Sequence, residues 1–421
     1  MVAIDGRVLP DSASCVPNDA GRGASLISMR CTAPRPSRGR DLGVARSSTN
    51  RGNVRSVQVF PPPPRGLRGR TAELETLART IAKTAPARVA LVGAGGSGKS
   101  MLAAALGHRV ASRFDGSIHW FRVGRWDFRT LVEMLALRFG VRRGRTSELV
   151  PALRALLAQG ERLVVLDNHE DDREMAKLLD AFAETRATFV VTARRCLLSG
   201  VLIFPVTAPL VTSGRSAFPR VARMTRLLRW NPLALDVADA LVRTRATSAG
   251  ALHTYLEAKG AGRVREIDHE DDLPEVLLLV AWAWARLGAE SRRMLATLSH
   301  VEGDHVDAAS LGELARVPPA RAKAALAALL RWHLVQEPLR GRFAAHAVVR
   351  HGVAKWTEAA RASTHARAFA HYLAMLERDP ARLALEQTHL FAAMDHAQRA
   401  GDLAGMLRIE ELLAGLSGPV R

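Results

Sequence analysis

Cysteine, lysine and tyrosine are scarce in this chain of 421 residues, which has three, six and two of them respectively. Cys15, Cys31 and Cys196 stand at no metal-ligand spacing and suggest no disulfide framework. Neither a stapled secreted scaffold nor a zinc module is therefore expected, and a reducing cytoplasm is the expected setting. Long apolar runs are missing too. The longest nearly unbroken one, Val276 to Ala285, falls far short of the roughly 20 residues that span a bilayer. The N-terminus has arginines but lacks the compact apolar stretch of a signal peptide, so no membrane attachment is expected.

Apolar residues make up 48% of the chain, enough to build cores for about two to four domains. The formal net charge of +19 suits a phosphate-rich partner. The excess is nearly all arginine, spread along almost every segment beside many alanines, as GC-rich codon usage produces. Nucleic acid is for that reason a partner the composition allows and does not favour.

Residues 1–58 have few aromatics, many Ser, Gly, Pro and Arg and no sustained period, so disorder is expected there, with Pro61 to Pro64 as a stiff spacer. Between 59 and 210 short apolar runs alternate with helical patterns, the signature of a parallel sheet covered on both faces. The expected strands are Arg88 to Val92, Gly116 to Phe121, Arg162 to Leu166, Thr188 to Thr192 and Val201 to Phe204. Helical spacing marks Leu131 to Phe139, Glu148 to Leu157 and Arg173 to Phe182 between them. Residues 211–288 read as a helical bundle. In 289–360, three helical patterns followed by strands at Leu334 to Glu337 and Arg342 to Ala345 describe a winged helix. The segment 361–421 reads as a short helical repeat of tetratricopeptide type.

The residues from Gly93 to Ser100 complete the pattern G-x-x-x-x-G-K-[ST] between the run Val89 to Val92 and the helical stretch Met101 to Val110. Glycines let successive backbone N–H groups turn inward, and the following helix presents its positive end to the same anion. Gly93, Gly95, Gly96, Ser97, Gly98, Lys99, Ser100 and Met101 are thus expected to hold ATP or ADP, with Lys99 on the β- and γ-phosphates and Ser100 on Mg²⁺. A P-loop NTPase core follows.

Further along, Arg162 to Asp167 is an apolar strand ending in a carboxylate, as a Walker B element requires, and Asp167 is the second candidate Mg²⁺ ligand. Asn168 stands next, where many hydrolases place the acid that activates water; Glu170 is the candidate replacement, and slow hydrolysis is expected. The strand Thr188 to Thr192 delivers Thr192 and Arg194 to the sheet edge where ligands bind, as candidate γ-phosphate sensors.

In this order the motifs resemble a known family, the STAND-class, NB-ARC-type AP-ATPases, and within it the bacterial branch whose Walker B strand reads L-D-N-x-E. The matching pieces are Leu67-Arg68-Gly69-Arg70-Thr71-Ala72-Glu73, the P-loop, Phe114 to Phe121, Leu166-Asp167-Asn168-His169-Glu170, Val191-Thr192-Ala193-Arg194, Pro209-Leu210, Asn231-Pro232-Leu233-Ala234-Leu235 and Phe343-Ala344-Ala345-His346. The resemblance implies that Leu67 to Arg70 line an adenine pocket, that Pro232 closes it, and that His346 reaches the β-phosphate of bound ADP. Two departures stand out: Asn231 replaces a common glycine, and Ala347 replaces the aspartate that commonly follows the histidine, which implies an altered inactive-state latch.

The function expected from this reading is a slow ATPase acting as a signalling switch, with protein partners or self-association through its C-terminal helices. The alternative is a nucleotide-regulated winged-helix transcription factor. Its would-be recognition helix, Ala320 to Trp332, is poor in side chains that read base edges, which favours the switch.

Overall fold

The structure is a computed structural model that describes residues 60–416 apart from 65, 66, 68, 142, 143, 208–217, 261–273 and 302. The expectation for residues 1–58 and the Pro209-Leu210 motif both lie outside the described residues. All elements below belong to one compact unit, Arg55–Arg421.

Helix α1 (Thr71–Thr84) leads into β1 (Arg88–Val92), α2 (Lys99–Val110), β2 (Ile118–Arg122), α3 (Phe128–Arg138), α4 (Thr146–Ala158), β3 (Arg162–His169), α5 (Asp172–Ala181), β4 (Ala187–Ala193) and β5 (Leu202–Pro205). The five strands form one parallel sheet in the order β2-β3-β4-β1-β5, as the alternating sequence pattern predicts. Strand β3 shows why these runs are apolar throughout. Leu163 and Val165 enter the core under α1 and α2, while Val164 and Leu166 enter the core under α3, α4 and α5. With helices on both faces, these strands are apolar except where a polar side chain finds a partner, as Thr188 and Thr192 do in β4.

Several strand bounds differ from expectation by a residue or more, most at β2 and β3. β2 starts at Ile118 rather than Gly116, because Asp115 and Gly116 take left-handed backbone (φ 48° and 74°) and form the turn before it. β3 runs on to His169 past a break in its pairing with β4 after Leu166.

The register decides what meets at the C-terminal edge. Val92 lies opposite Ala193, and Arg122 opposite Asp167. The end of β1, which opens the phosphate-binding loop, therefore sits one strand away from the end of β3, which carries Asp167.

Next come α6 (Pro232–Arg243), α7 (Ala249–Ala258), α8 (Pro274–Arg286) and α9 (Ala289–His300). They are followed by β6 (Val306–Asp307), α10 (Ala308–Leu314), α11 (Pro319–Arg331), β7 (Val335–Leu339), β8 (Arg342–Ala345) and α12 (Ala347–Trp356). A single core runs through these helices from Leu233 through Leu279 and Leu329 to Val353. The expected hairpin β7–β8 forms, and β6 pairs with β8 to make a three-stranded antiparallel sheet. At two residues β6 is too short to show a period.

Helices α13 (Arg361–Arg378), α14 (Leu383–Ala400) and α15 (Leu403–Leu416) end the described chain, α14 packing on both neighbours. α14 also reaches the sheet domain, where Phe391 meets Trp126 edge-on at 6.0 Å. Among the described residues no helix is long and apolar enough to cross a membrane.

Candidate nucleotide site

The loop Gly93 to Ser100 leaves the end of β1 and enters α2 through Gly98, whose left-handed φ of 94° a side chain would strain. Two other glycines are fixed by close approach. A Cβ on Gly93 would lie 2.2 Å from the carbonyl oxygen of Val206, and one on Gly96 would lie 2.9 Å from both Asn231 Oδ1 and Leu233 Cβ. The loop is therefore pinned from the β5 side and from the head of α6.

Arg70 holds the loop from beneath. Its side chain is buried and pairs with Glu73, while Nη2 donates to the carbonyl oxygens of Ser97 at 2.5 Å and Thr207 at 2.7 Å. The hhGRxxE arginine thus braces the loop with its guanidinium, and Leu67 lies beside it through the bond from the Arg70 amide to the Leu67 carbonyl. Thr71, Ala72 and Glu73 of the motif form the first turn of α1.

Lys99 Nζ donates to the carbonyls of Gly93 at 2.7 Å and Ala94 at 2.8 Å, across the mouth of the loop. Burial lowers its pKa to about 8, against the attraction of Asp167 and with help from the like charge of Arg194. Arg194 is thereby near enough to the loop lysine for their like charges to be felt. Ser97 Oγ is buried and has no hydrogen-bond partner among the described residues. Met101 is part-exposed at the first turn of α2.

Ser100 Oγ and Thr192 Oγ1 both donate to Asp167 Oδ1 at 2.6 Å, and Thr192 Oγ1 accepts from the amide of Asn168 at 2.9 Å. The three groups expected from three separate segments are therefore brought together. Asp167 and Ser100 supply two oxygens, which fits Mg²⁺, an ion that keeps several waters and needs no complete protein cage. Asn168 has a left-handed φ of 61°, so its side chain turns away to donate to Glu170 Oε1 at 2.8 Å. The other oxygen of Glu170 accepts from Arg125 at 3.0 Å. Both oxygens of the candidate base are thus engaged.

Asn231 does more than its place in a motif suggested. It caps α6 by accepting from the amide of Ala234 at 3.1 Å, and its Nδ2 donates to the carbonyl of Gly95 at 2.9 Å. Pro232 follows as the first residue of the helix, where its missing N–H costs nothing. The side chain standing where a glycine is common therefore ties the helical segment to the phosphate loop. An Asn231→Ala variant is expected to melt with about 1–2 kcal/mol less stability through loss of the cap, as thermal unfolding followed by circular dichroism will measure.

His346 precedes α12, and burial, with repulsion from His333 and Arg122, holds its pKa down at about 4. It sits near the end of β2 through Arg122 as a neutral ring. The site residue that the sequence reading missed is Arg122, which has no motif and stands out only through its register opposite Asp167.

Residues 70–208 match the NB-ARC domain family. A comparison with curated proteins found no match. Among solved structures, the chain is similar to a STAND protein with a tetratricopeptide repeat sensor from Pyrococcus horikoshii, at 14% identity and a TM-score of 0.52. The match covers 85% of this chain and 54% of that one, so this chain spans about half of its length. Lower similarity joins it to the Aeropyrum pernix ORC1 protein in complex with DNA (17% identity, 70% of this chain and 95% of that one, TM-score 0.30). Drosophila ORC bound to DNA is similar at 14% identity, over 77% of this chain and 96% of that one, with a TM-score of 0.35. Scores that low carry no argument. Residues 70–208 are therefore an NB-ARC domain, and the chain around them has the fold of a STAND-class NB-ARC protein.

Proposed function

We propose that the chain is a signalling switch of the STAND type, which binds ATP or ADP with Mg²⁺, hydrolyses ATP slowly and changes its domain arrangement on nucleotide exchange. The observation that carries this reading is the bond from Asn231 to the carbonyl of Gly95, which places the helical segment in direct contact with the phosphate-binding loop. A change in what the loop holds bears on that bond. A differential affinity of a few kcal/mol is enough to move a two-state population.

In this reading the loop amides, Ser97 and Lys99 hold the phosphates, Ser100 and Asp167 hold Mg²⁺, and Leu67 and Pro232 enclose the base. Thr192 and Arg194 respond to the third phosphate. The bound nucleotide supplies the phosphoanhydride that is cleaved. His346, kept neutral by burial, offers an N–H rather than a charge to the β-phosphate. The amide of Asn168 in place of an acid, with Glu170 engaged by Arg125, supports slow turnover.

The α9–α12 segment with its three strands is read as a winged helix, and α13–α15 as a short helical repeat of tetratricopeptide type. Leu403 and Leu407 lie one turn apart on α15 and are 72% and 59% exposed, an apolar stripe suited to a protein partner or a second copy in the cytoplasm.

The test is to denature purified protein and identify the nucleotide released. Stoichiometric ADP is expected from the wild type and none from Lys99→Ala. Turnover near ~10 s⁻¹, the rate of an ordinary enzyme, with no retained nucleotide, overturns the switch.

A further inference from the structure

The chain enters α6 through a turn that its own residues disfavour. After the short 3₁₀ segment Pro219–Met224, the amide of Arg229 donates to the carbonyl of Arg226 at 3.1 Å and that of Trp230 to the carbonyl of Thr225 at 3.0 Å. This nested pair of bonds closes around a left-handed residue, a place that usually goes to glycine. Here it is Arg229, with a φ of 48°, and Trp230 follows at 55°. Two successive side chains in left-handed backbone crowd Cβ against the main chain, so the turn persists only where its surroundings hold it.

The Arg229 side chain supplies one such hold. Its Nε lies 3.2 Å from Oε1 of Glu275, which is buried in the first turn of α8. The positive end of that helix favours the acid, and among the described residues Arg229 is its one ion-pair partner. Apolar packing supports the same seating, since Leu228, Leu233, Val276 and Leu279 belong to one core. Asn231, two residues beyond Arg229, then donates to the carbonyl of Gly95 in the phosphate-binding loop.

We propose that Arg229 and Glu275 are positioning residues for the nucleotide: their ion pair keeps the left-handed turn in place, and the turn holds Asn231 on the phosphate-binding loop. Breaking the pair lets the turn relax toward ordinary backbone, which draws Asn231 away from Gly95 and speeds nucleotide release. α8 thereby acts on the loop through Asn231. The effect on release rests on the reading of the loop as a nucleotide site, whereas the seating of Asn231 does not.

Two measurements on the full chain keep these apart. An N-methylanthraniloyl derivative of ADP, chased with excess ADP, gives the release rate. Hydrogen exchange of the nucleotide-free chain reads the first turn of α6, where the amide of Ala234 donates to Asn231 Oδ1. Glu275→Gln breaks the ion pair and strands no buried charge, because Arg229 is 41% exposed and reaches water. Release roughly tenfold faster is expected from it, with the first turn of α6 losing protection relative to α11. Arg229→Gly/Glu275→Gln is expected to recover most of both losses, since glycine takes a left-handed φ without the pair. A pair that serves only general stability gives no such recovery. Unchanged release or unchanged exchange in Glu275→Gln, or no recovery in the double variant, overturns the positioning role. A wild type that binds no labelled ADP overturns the nucleotide reading and the effect on release with it, while exchange in α6 still reports on the turn.

Discussion

An Arg342→Met variant loses about 3–5 kcal/mol of stability, with the loss centred on the sheet β6-β8-β7 and α14. Arg342 opens β8 and is 5% exposed, and Glu386 of α14 is fully buried. The guanidinium donates to both oxygens of that carboxylate, at 2.8 and 2.7 Å, and also to Nδ1 of His305 at 2.7 Å. Burial alone pushes the Glu386 pKa up. The hydrogen bonds of Arg342 and Arg382, with the charge of Arg342, outweigh it and hold the carboxyl below its ordinary range. Removing Arg342 strands an ionised carboxylate in the interior with Arg382, at 2.9 Å, as its remaining strong partner. An uncompensated buried charge is what makes such a deletion expensive. The double variant Arg342→Met/Glu386→Met is accordingly expected to recover much of the loss, since apolar groups of similar volume replace a buried pair at little net cost, and Arg382 keeps Asp307 at 2.8 Å. Native-state hydrogen exchange locates the effect: β8 and α14 lose protection while β1, β3 and β4 keep theirs. Unchanged protection in β8 and α14 removes the claim.

What the sequence disclosed follows from what each feature demands of local chemistry. The sheet was readable because strands buried on both faces are apolar over long runs, as Leu163 to Leu166 are. The loop was readable because only glycine fits at Gly93, Gly96 and Gly98. Other features depend on residues far apart in the chain. Asn231 looked like a departure from a motif, and only the seating of α6 on the loop shows that its side chain caps one element and grips another. Arg70 belonged to a motif, yet nothing in its neighbours announced that the guanidinium would turn under the loop. The arginines seemed dispersed because they are dispersed in sequence. Folding gathers those at the ends of β2 and β4 with Arg350 of α12 around one concavity. The same holds for the histidines at 300, 305, 365, 389 and 396, which meet only when α13 and α14 pack against the end of α9 and the strand β6.

That histidine cluster sets the second large expectation, a steep loss of stability as pH falls from about 6.5 to 4. His389 stacks flat on Tyr372 at 4.1 Å, and His365 stacks on His396 at 3.7 Å. Burial pushes the pKa of His305 down to about 3 and those of His365 and His389 to about 4, with Arg342 adding repulsion at His305 and His389 and His396 at His365. His300 is lowered by burial as well. Each of these rings is neutral when folded and takes up a proton near pH 6.5 when unfolded. The unfolded chain thus binds more protons throughout that window, so the stabilisation is complete above pH 6.5 and drains away as pH drops toward the folded values. One group acts against the trend. Asp304 is raised to about 6 by burial, so its own contribution is greatest in acid and is lost as pH rises from about 4 to 6. Several histidines outweigh one carboxyl. For His305 and His389, which are 5% and 3% exposed, each contributes a slope of up to about 1.4 kcal/mol per pH unit. Together they offset the Asp304 slope with a margin. Urea midpoints measured at constant ionic strength between pH 7.5 and 4.5 are expected to fall steadily below pH 6.5. A His365→Gln variant should show a shallower fall, since it removes one of the protons taken up. A flat profile in the wild type, or an identical slope in the variant, shows that these rings do not carry the acid sensitivity assigned to them.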